Sequence, residues 1–191
     1  MAHLEACLEL GAGLLQALAP AWGIPPAVCT AQEAYGLLKL IAYHPQEGPG
    51  PPRWGVAAYV DFSLLTLVAQ DGEGGLEVRL PSGGWGPVPC EPGTLVLHVG
   101  ELLEALSGGR LRATPHRVTH PGRTRPRLSL PVFVNPPLEA WIHPRPAPPR
   151  SPEADHVHRV LTGAEGPFCY GEAEWRRKGL DRWCATCCGE G

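Results

Sequence analysis

The chain has 191 residues, including 24 Gly and 23 Pro, and a formal net charge of −3 at neutral pH. That density of Gly and Pro excludes a helical bundle, because both residues are poor in helix interiors; 43% hydrophobic and 18% charged residues exclude a self-repelling disordered polymer. The charge offers no bulk attraction to nucleic acid or to an acidic membrane surface, and the length supports one domain with a real core.

Residues 2–18 are predicted to form an amphipathic helix: Leu4, Leu8, Gly11, Leu15 and Leu18 recur at helical spacing, and Pro20 is expected to stop it. Pro25 and Pro26 mark a turn, and a short helical piece is expected around 31–36. LLKLIAY (37–43) reads as a strand and HPQEGPGPPR (44–53) as a loop. From Trp54 the pattern turns to short β-like runs, WGVAAYVDF, LLTLVAQ, GLEVRL, WGPVPC, TLVLHV, ATPHRV and RLSLPVFV, most of them separated by Gly, Pro, Asp and Asn clusters. One helical turn, ELLEAL (101–106), interrupts them before Gly108 and Gly109. Evenly spaced short strands predict a barrel or double-sheet jelly roll. Seven prolines in 135–152 predict a stiff linker or a surface wrap. The tail, 153–191, has some helical character and ends in WCATCCGEG.

Seven cysteines without a basic, apolar leader do not read as a disulfide framework. No apolar run is long enough to span a membrane, so the expected setting is soluble and cytoplasmic. Cys184, Cys187 and Cys188 have partial zinc-site spacing, with Cys169, His156 or His158 needed for a fourth ligand; free thiols are the plainer reading. Six arginines and no acidic residues lie within 105–138. The stripe lacks interleaved aromatics, which favours solvated arginines over a nucleic-acid surface.

The polar residues of the strands carry the chemistry. Tyr59 and Asp61 share one strand face, as do Arg127 and Ser129, with Leu128, Leu130, Val132 and Val134 on the opposite, apolar face. His116 lies mid-strand in ATPHRV. Polar groups aimed into a β core must be satisfied or functional.

The run from AAYVDFSLLTLVAQD through PGTLVLHVGELLEALSGGRLRATPHRV to RPRLSLPVFVNP resembles the non-haem iron(II), 2-oxoglutarate-dependent oxygenases of the isopenicillin N synthase-like group. The resemblance covers 37–137 closely and 4–36 more weakly. It implies a mainly β fold, the double-stranded β-helix or jelly roll, with flanking N-terminal helices and a Pro-rich C-terminal extension. It divides the chain into an N-terminal helical part (1–36), the jelly-roll domain (37–137), a Pro-rich linker (138–152) and a tail with the Cys cluster (153–191). Relatives carry a further stretch ahead of the first helix, so the N-terminus reads as shortened.

The family's iron site is His-x-Asp, a distant His, then Arg-x-Ser. Asp61 and His116 stand at two metal-ligand positions, and Arg127 and Ser129 at the 2-oxoglutarate carboxylate clamp. Tyr43 matches the tyrosine that assists that clamp. Two His and one carboxylate on one face of iron leave three positions open. 2-Oxoglutarate takes two of them and dioxygen the third. The first histidine is replaced by Tyr59, a poor ligand as a neutral phenol; His98 and His44 are the histidines near enough in sequence to substitute. Ser63 stands where a glycine is usual. The implied activity is oxidation of a C–H bond in a small molecule by hydroxylation, desaturation or ring closure, with iron(II) as cofactor and 2-oxoglutarate as co-substrate. The competing expectation is a catalytically impaired relative that binds a ligand or a protein partner.

Overall fold

The computed structural model describes residues 2–29, 33–45, 54–119, 125–148, 160–161 and 166–180. The loop at 46–53 and the cysteines at 184, 187 and 188 lie outside the described residues, as do His156 and His158.

The first helix, α1 (Ala2–Trp22), buries Cys7, Gly11, Ala12, Leu15 and Ala19 along one stripe. It runs through Pro20 instead of stopping there. The physical end is Gly23, whose positive φ of 62° turns the chain while Ile24 N–H donates to Ala19 O. A proline so close to the C-terminus disrupts little of the helix that remains. Gly11 is where α1 comes nearest the sheet: a Cβ there would stand 2.7 Å from a Val134 methyl.

Among the described residues 33–36, no part of the helical piece expected around 31–36 is formed. A 3-10 turn covers Pro26–Cys29, and Tyr35 already opens a strand. The expected strand over 37–43 is two strands with a break at Lys39 and Leu40, β1 (Tyr35–Leu38) and β2 (Ile41–Tyr43). Every later strand run appears: β3 (Trp54–Tyr59), β4 (Leu65–Gln70), β5 (Leu76–Arg79), β6 (Trp85–Pro87), β7 (Val96–Val99), β8 (His116–Thr119) and β9 (Arg127–Asn135). They form two antiparallel sheets. One has the order β1-β9-β4-β7, with β2 also paired to β9; the other is β3-β8-β5-β6. This is the mainly β jelly roll that the strand spacing implies.

The long strand β9 corrects one face assignment. Arg127 and Ser129 are buried, and Leu128, on the expected apolar face, is 41% exposed. Further along, Val132 and Val134 are buried because α1 covers that end of the sheet. Both faces of β9 are therefore covered in its second half, and the polar pair occupies the inner face of its first half.

The turn helix α2 (Glu101–Leu106) ends at Ser107, and Gly108 and Gly109 take positive φ. Its Glu104 carboxylate accepts bonds from the Ala113 N–H at 2.9 Å and from Arg112. This ties α2 to the chain entering β8. After β9 the chain wraps the core instead of leaving it. Ile142 is fully buried in β10 (Trp141–Ile142), which pairs with β11 (Phe168–Cys169). Arg145 donates to Trp22 O and Gly23 O at the end of α1. A last helix, α3 (Tyr170–Arg177), buries Tyr170 and Glu174. Among the described residues no helix is long and apolar enough to cross a membrane.

The central packing is set by Leu64, Leu65, Leu67, Leu102, Leu103, Val132 and Val134, none above 2% exposed. Replacing such a leucine removes transfer energy and leaves a cavity. Leu65→Ala is expected to destabilise the fold by about 2–5 kcal/mol in urea denaturation. An unchanged midpoint would contradict this packing.

Candidate functional site

Between the sheets lies a narrow cavity lined by Tyr43, Tyr59, Asp61, Thr66, His98, His116, Arg127 and Ser129 among apolar neighbours. The sequence-predicted residues therefore meet in one place. His44 does not line it.

Each polar group has a structural reason for its position. Tyr59 closes β3 and pairs in register with His116, which opens β8. Asp61 follows two residues later, and its backbone oxygen accepts the Glu101 N–H at 2.8 Å, so α2 fixes the turn. Close approach at this turn requires Gly100: a Cβ there would collide with Ser63 O. The Ser63 hydroxyl itself is satisfied by Thr66 Oγ1 at 3.1 Å.

His116 is oriented by its Nδ1, 2.9 Å from Thr114 O. That contact makes Nδ1 the donor and places Nε2 3.8 Å from Asp61 Oδ1. Asp61 is 3% exposed, and neither carboxylate oxygen has a hydrogen-bond partner. His98 reaches in from β7, where it pairs with Thr66. It is 2% exposed and neither ring nitrogen has a partner. Its ring lies 4.4 Å from the His116 ring. Burial, with His116 adding to it, pulls the His98 pKa down to about 3, so the imidazole is neutral. Tyr59 packs on the other side of His116, also at 4.4 Å. Burial, then the charges of Asp61 and Tyr43, push its phenol well above the ordinary tyrosine value.

Arg127 is fully buried. Its Nε donates to Gly74 O at 2.6 Å and its Nη2 to Gln70 Oε1 at 2.9 Å, while Nη1 has no partner. Burial lowers its pKa, with Tyr43 and Asp71 opposing the shift; a guanidinium remains charged in any such setting. The Tyr43 ring lies beneath it at 5.0 Å. Gly55 on β3 makes room for that ring, since a Cβ there would stand 2.7 Å from it. Gln70, inside the LLTLVAQD run, and Gly74, a turn glycine, were not read in the sequence as site residues. Three other arginines of the basic stretch pair with carboxylates: Arg112 with Glu104, Arg117 with Glu77 and Arg125 with Glu73.

A second, larger cavity of about 230 Å³ shares Tyr59, Asp61 and Phe133 with the first. Its other walls are Leu37, Lys39, Val60, Phe62, Asn135, Val160, Glu174 and Arg177. The Lys39 ammonium lies 4.9 Å from the centre of the Phe133 ring, and Asn135 Oδ1 has no partner.

The donor set suits a divalent cation. A buried carboxylate with both oxygens unpartnered beside a lone-pair nitrogen is the arrangement a metal satisfies. Among the described residues, no three His, Cys, Asp or Glu side chains already stand close enough to hold one.

Comparison with known proteins gives the family of the chain. A family model described as "2OG-Fe(II) oxygenase superfamily" matches residues 29–136. A bi-functional coumaroyl CoA and feruloyl CoA ortho-hydroxylase of Ipomoea batatas is 36% identical over 149 residues, 75% of this chain and 41% of that protein. Feruloyl CoA ortho-hydroxylase 1 of Arabidopsis thaliana is 42% identical over 93 residues, 48% of this chain and 26% of that protein. Among solved structures, the rice dioxygenase for auxin oxidation superposes with a TM-score of 0.69 at 28% identity, covering 93% of this chain and 57% of that one. A 2OG-Fe(II) oxygenase family protein from Caulobacter crescentus gives a TM-score of 0.67 at 26% identity, covering 94% of this chain and 57% of that one. The chain thus spans less than half the length of these curated relatives.

A buried carboxylate without donors is costly to hold charged. In metal-free protein, with chelator present, Asp61→Asn is expected to raise the melting temperature. A lowered melting temperature would mean that the carboxylate has a stabilising partner.

Proposed function

The chain belongs to the 2OG-Fe(II) oxygenase superfamily, and on that premise we propose that it oxidises a C–H bond of a small organic substrate by hydroxylation, desaturation or cyclisation. The observation that carries this reading is the convergence of Asp61, His116 and Arg127 on one cavity, with both Asp61 oxygens and Arg127 Nη1 unpartnered. Asp61 and His116 would hold iron(II). Bound there with 2-oxoglutarate and dioxygen, the iron supplies an oxidant able to take hydrogen from a C–H bond.

The chain's own residues do the rest. The free Nη1 of Arg127 turns toward the far carboxylate of 2-oxoglutarate, since the other two nitrogens that bond are held by Gly74 and Gln70. Those bonds fix the guanidinium plane before the ligand arrives, which lowers the ordering cost of binding. Ser129, two residues along the same face of β9, adds a hydroxyl donor, and Tyr43 supports the clamp from below. Tyr59 stands between the two cavities, so the substrate's place is the larger one, against Phe133. Arg177 on its wall is paired with Glu174, so the Lys39 ammonium is the charge that favours a substrate carrying negative charge or an electron-rich ring.

A second reading has its own support in Tyr59. A neutral phenol at a metal-ligand position favours a relative that binds a carboxylate ligand without turning it over.

Both readings share the clamp, and metal-dependent turnover separates them. Anaerobic addition of iron(II) and 2-oxoglutarate is expected to produce a visible charge-transfer band, and admitting air to produce succinate. Neither signal would appear for the non-catalytic relative. Arg127→Lys removes the planar fork. Charge-assisted hydrogen bonds are worth about 1.5–3 kcal/mol, so 2-oxoglutarate should bind about 10- to 100-fold more weakly. Unchanged affinity would remove Arg127 from the site.

A further inference from the structure

We propose that His98 supplies the second imidazole of the iron site, in place of the one that position 59 lacks. The inference rests on the oxygenase reading of the same cavity. It starts from a packing anomaly. The inward position of β7 between Val96 and Val99 is sealed from solvent, and a hydrophobic side chain would fill it without cost. An imidazole occupies it, and neither Nδ1 nor Nε2 finds a partner among the described residues. A neutral imidazole always carries one donor and one lone pair. Burying both unmatched is destabilising, and such groups in folded proteins call for an explanation.

The ring geometry supplies one. A ligating imidazole nitrogen lies ~2.1 Å from a metal, which puts the ring centre about 3.2 Å from it. Two imidazoles at right angles on an octahedral metal then have ring centres ~4.5 Å apart. The His98 and His116 rings are 4.4 Å apart and tilted by 50°. The centre of an imidazole lies nearly on its Cβ–Cγ axis. Turning His98 about that bond therefore re-aims a nitrogen while leaving this separation almost unchanged. Such a turn is required, because the side chains do not yet converge on one point.

The other members of the cluster are already disposed for it. His116 is locked by Thr114 O with its Nε2 directed to the Asp61 side, and Asp61 has both oxygens unpartnered. Tyr59 pairs with His116 across β3 and β8, but it offers a phenol where the site wants an imidazole. The two sheets thus contribute one imidazole each, His116 from β8 and His98 from β7, with Asp61 in the turn after β3. The carboxylate and the two imidazoles leave the remaining positions on the metal open to ligands from the cavity.

The test uses the full chain and cobalt(II), which is stable in air, followed by calorimetry and its visible spectrum. His98→Asn is expected to weaken cobalt binding at least tenfold, with the fold checked by circular dichroism. Tyr59→Phe should change it by less than threefold. Adding Tyr59→His to His98→Asn should restore binding, because the imidazole returns from the other strand. Unchanged affinity in His98→Asn overturns the proposal alone; failure of the wild-type chain to bind cobalt overturns the oxygenase reading with it. X-ray absorption of the cobalt-loaded wild type needs no variant: scattering from two imidazoles is expected, and a single imidazole overturns the proposal.

Discussion

The structure turns on a carboxylate with nothing to bond to. Asp61 is sealed between two sheets, and neither of its oxygens meets a donor. Water would satisfy it at the surface; inside, a charge in that state costs several kcal/mol. His98 and Arg127 Nη1 add unfilled valences around the same small space. Folding tolerates this only because the rest of the core is well packed. Proteins depart from local packing rules chiefly at sites with a task, and offset the departure elsewhere. Here the departure is concentrated in one cavity, and its donors have the chemistry of a cation and an anionic ligand.

The jelly roll makes the cluster possible by bringing distant segments together. The pairing of β3 with β8 places Tyr59 beside His116. The backbone bond from Glu101 to Asp61 locks the turn after β3 against α2. The inner half of β9 carries Arg127 into the interior, where Gln70 and Gly74 hold it. These supports come from elements that are far apart in sequence, so a shift of one strand register would disperse the site. Strands and a turn pinned to α2 give the rigid placement a metal site needs.

Much of this was legible in the sequence. Strand alternation and turn residues placed nearly every strand, and the motif residues Asp61, His116, Arg127, Ser129 and Tyr43 all reach the same cavity. The misses have physical causes. Pro20 did not end α1, because a proline in the last turn removes little and Gly23 supplies the turn. Local pattern over 31–36 suggested helix, but pairing of Tyr35–Leu38 with β9 decided for strand. Period-two alternation placed Leu128 and Val134 on one face, yet only Val134 is covered, because α1 reaches only that end. Alternation gives the face of a strand; which helix covers it is tertiary information. His98 was visible only as a nearby histidine. Its orphaned nitrogens and its distance from His116 exist only in the fold.

Anomalous diffraction from crystals of the iron- or cobalt-loaded protein would show whether a divalent cation completes this cavity. One peak is expected between the sheets, within bonding distance of an Asp61 oxygen and His116 Nε2. A peak elsewhere on the molecule, with the inter-sheet cavity empty, would contradict it.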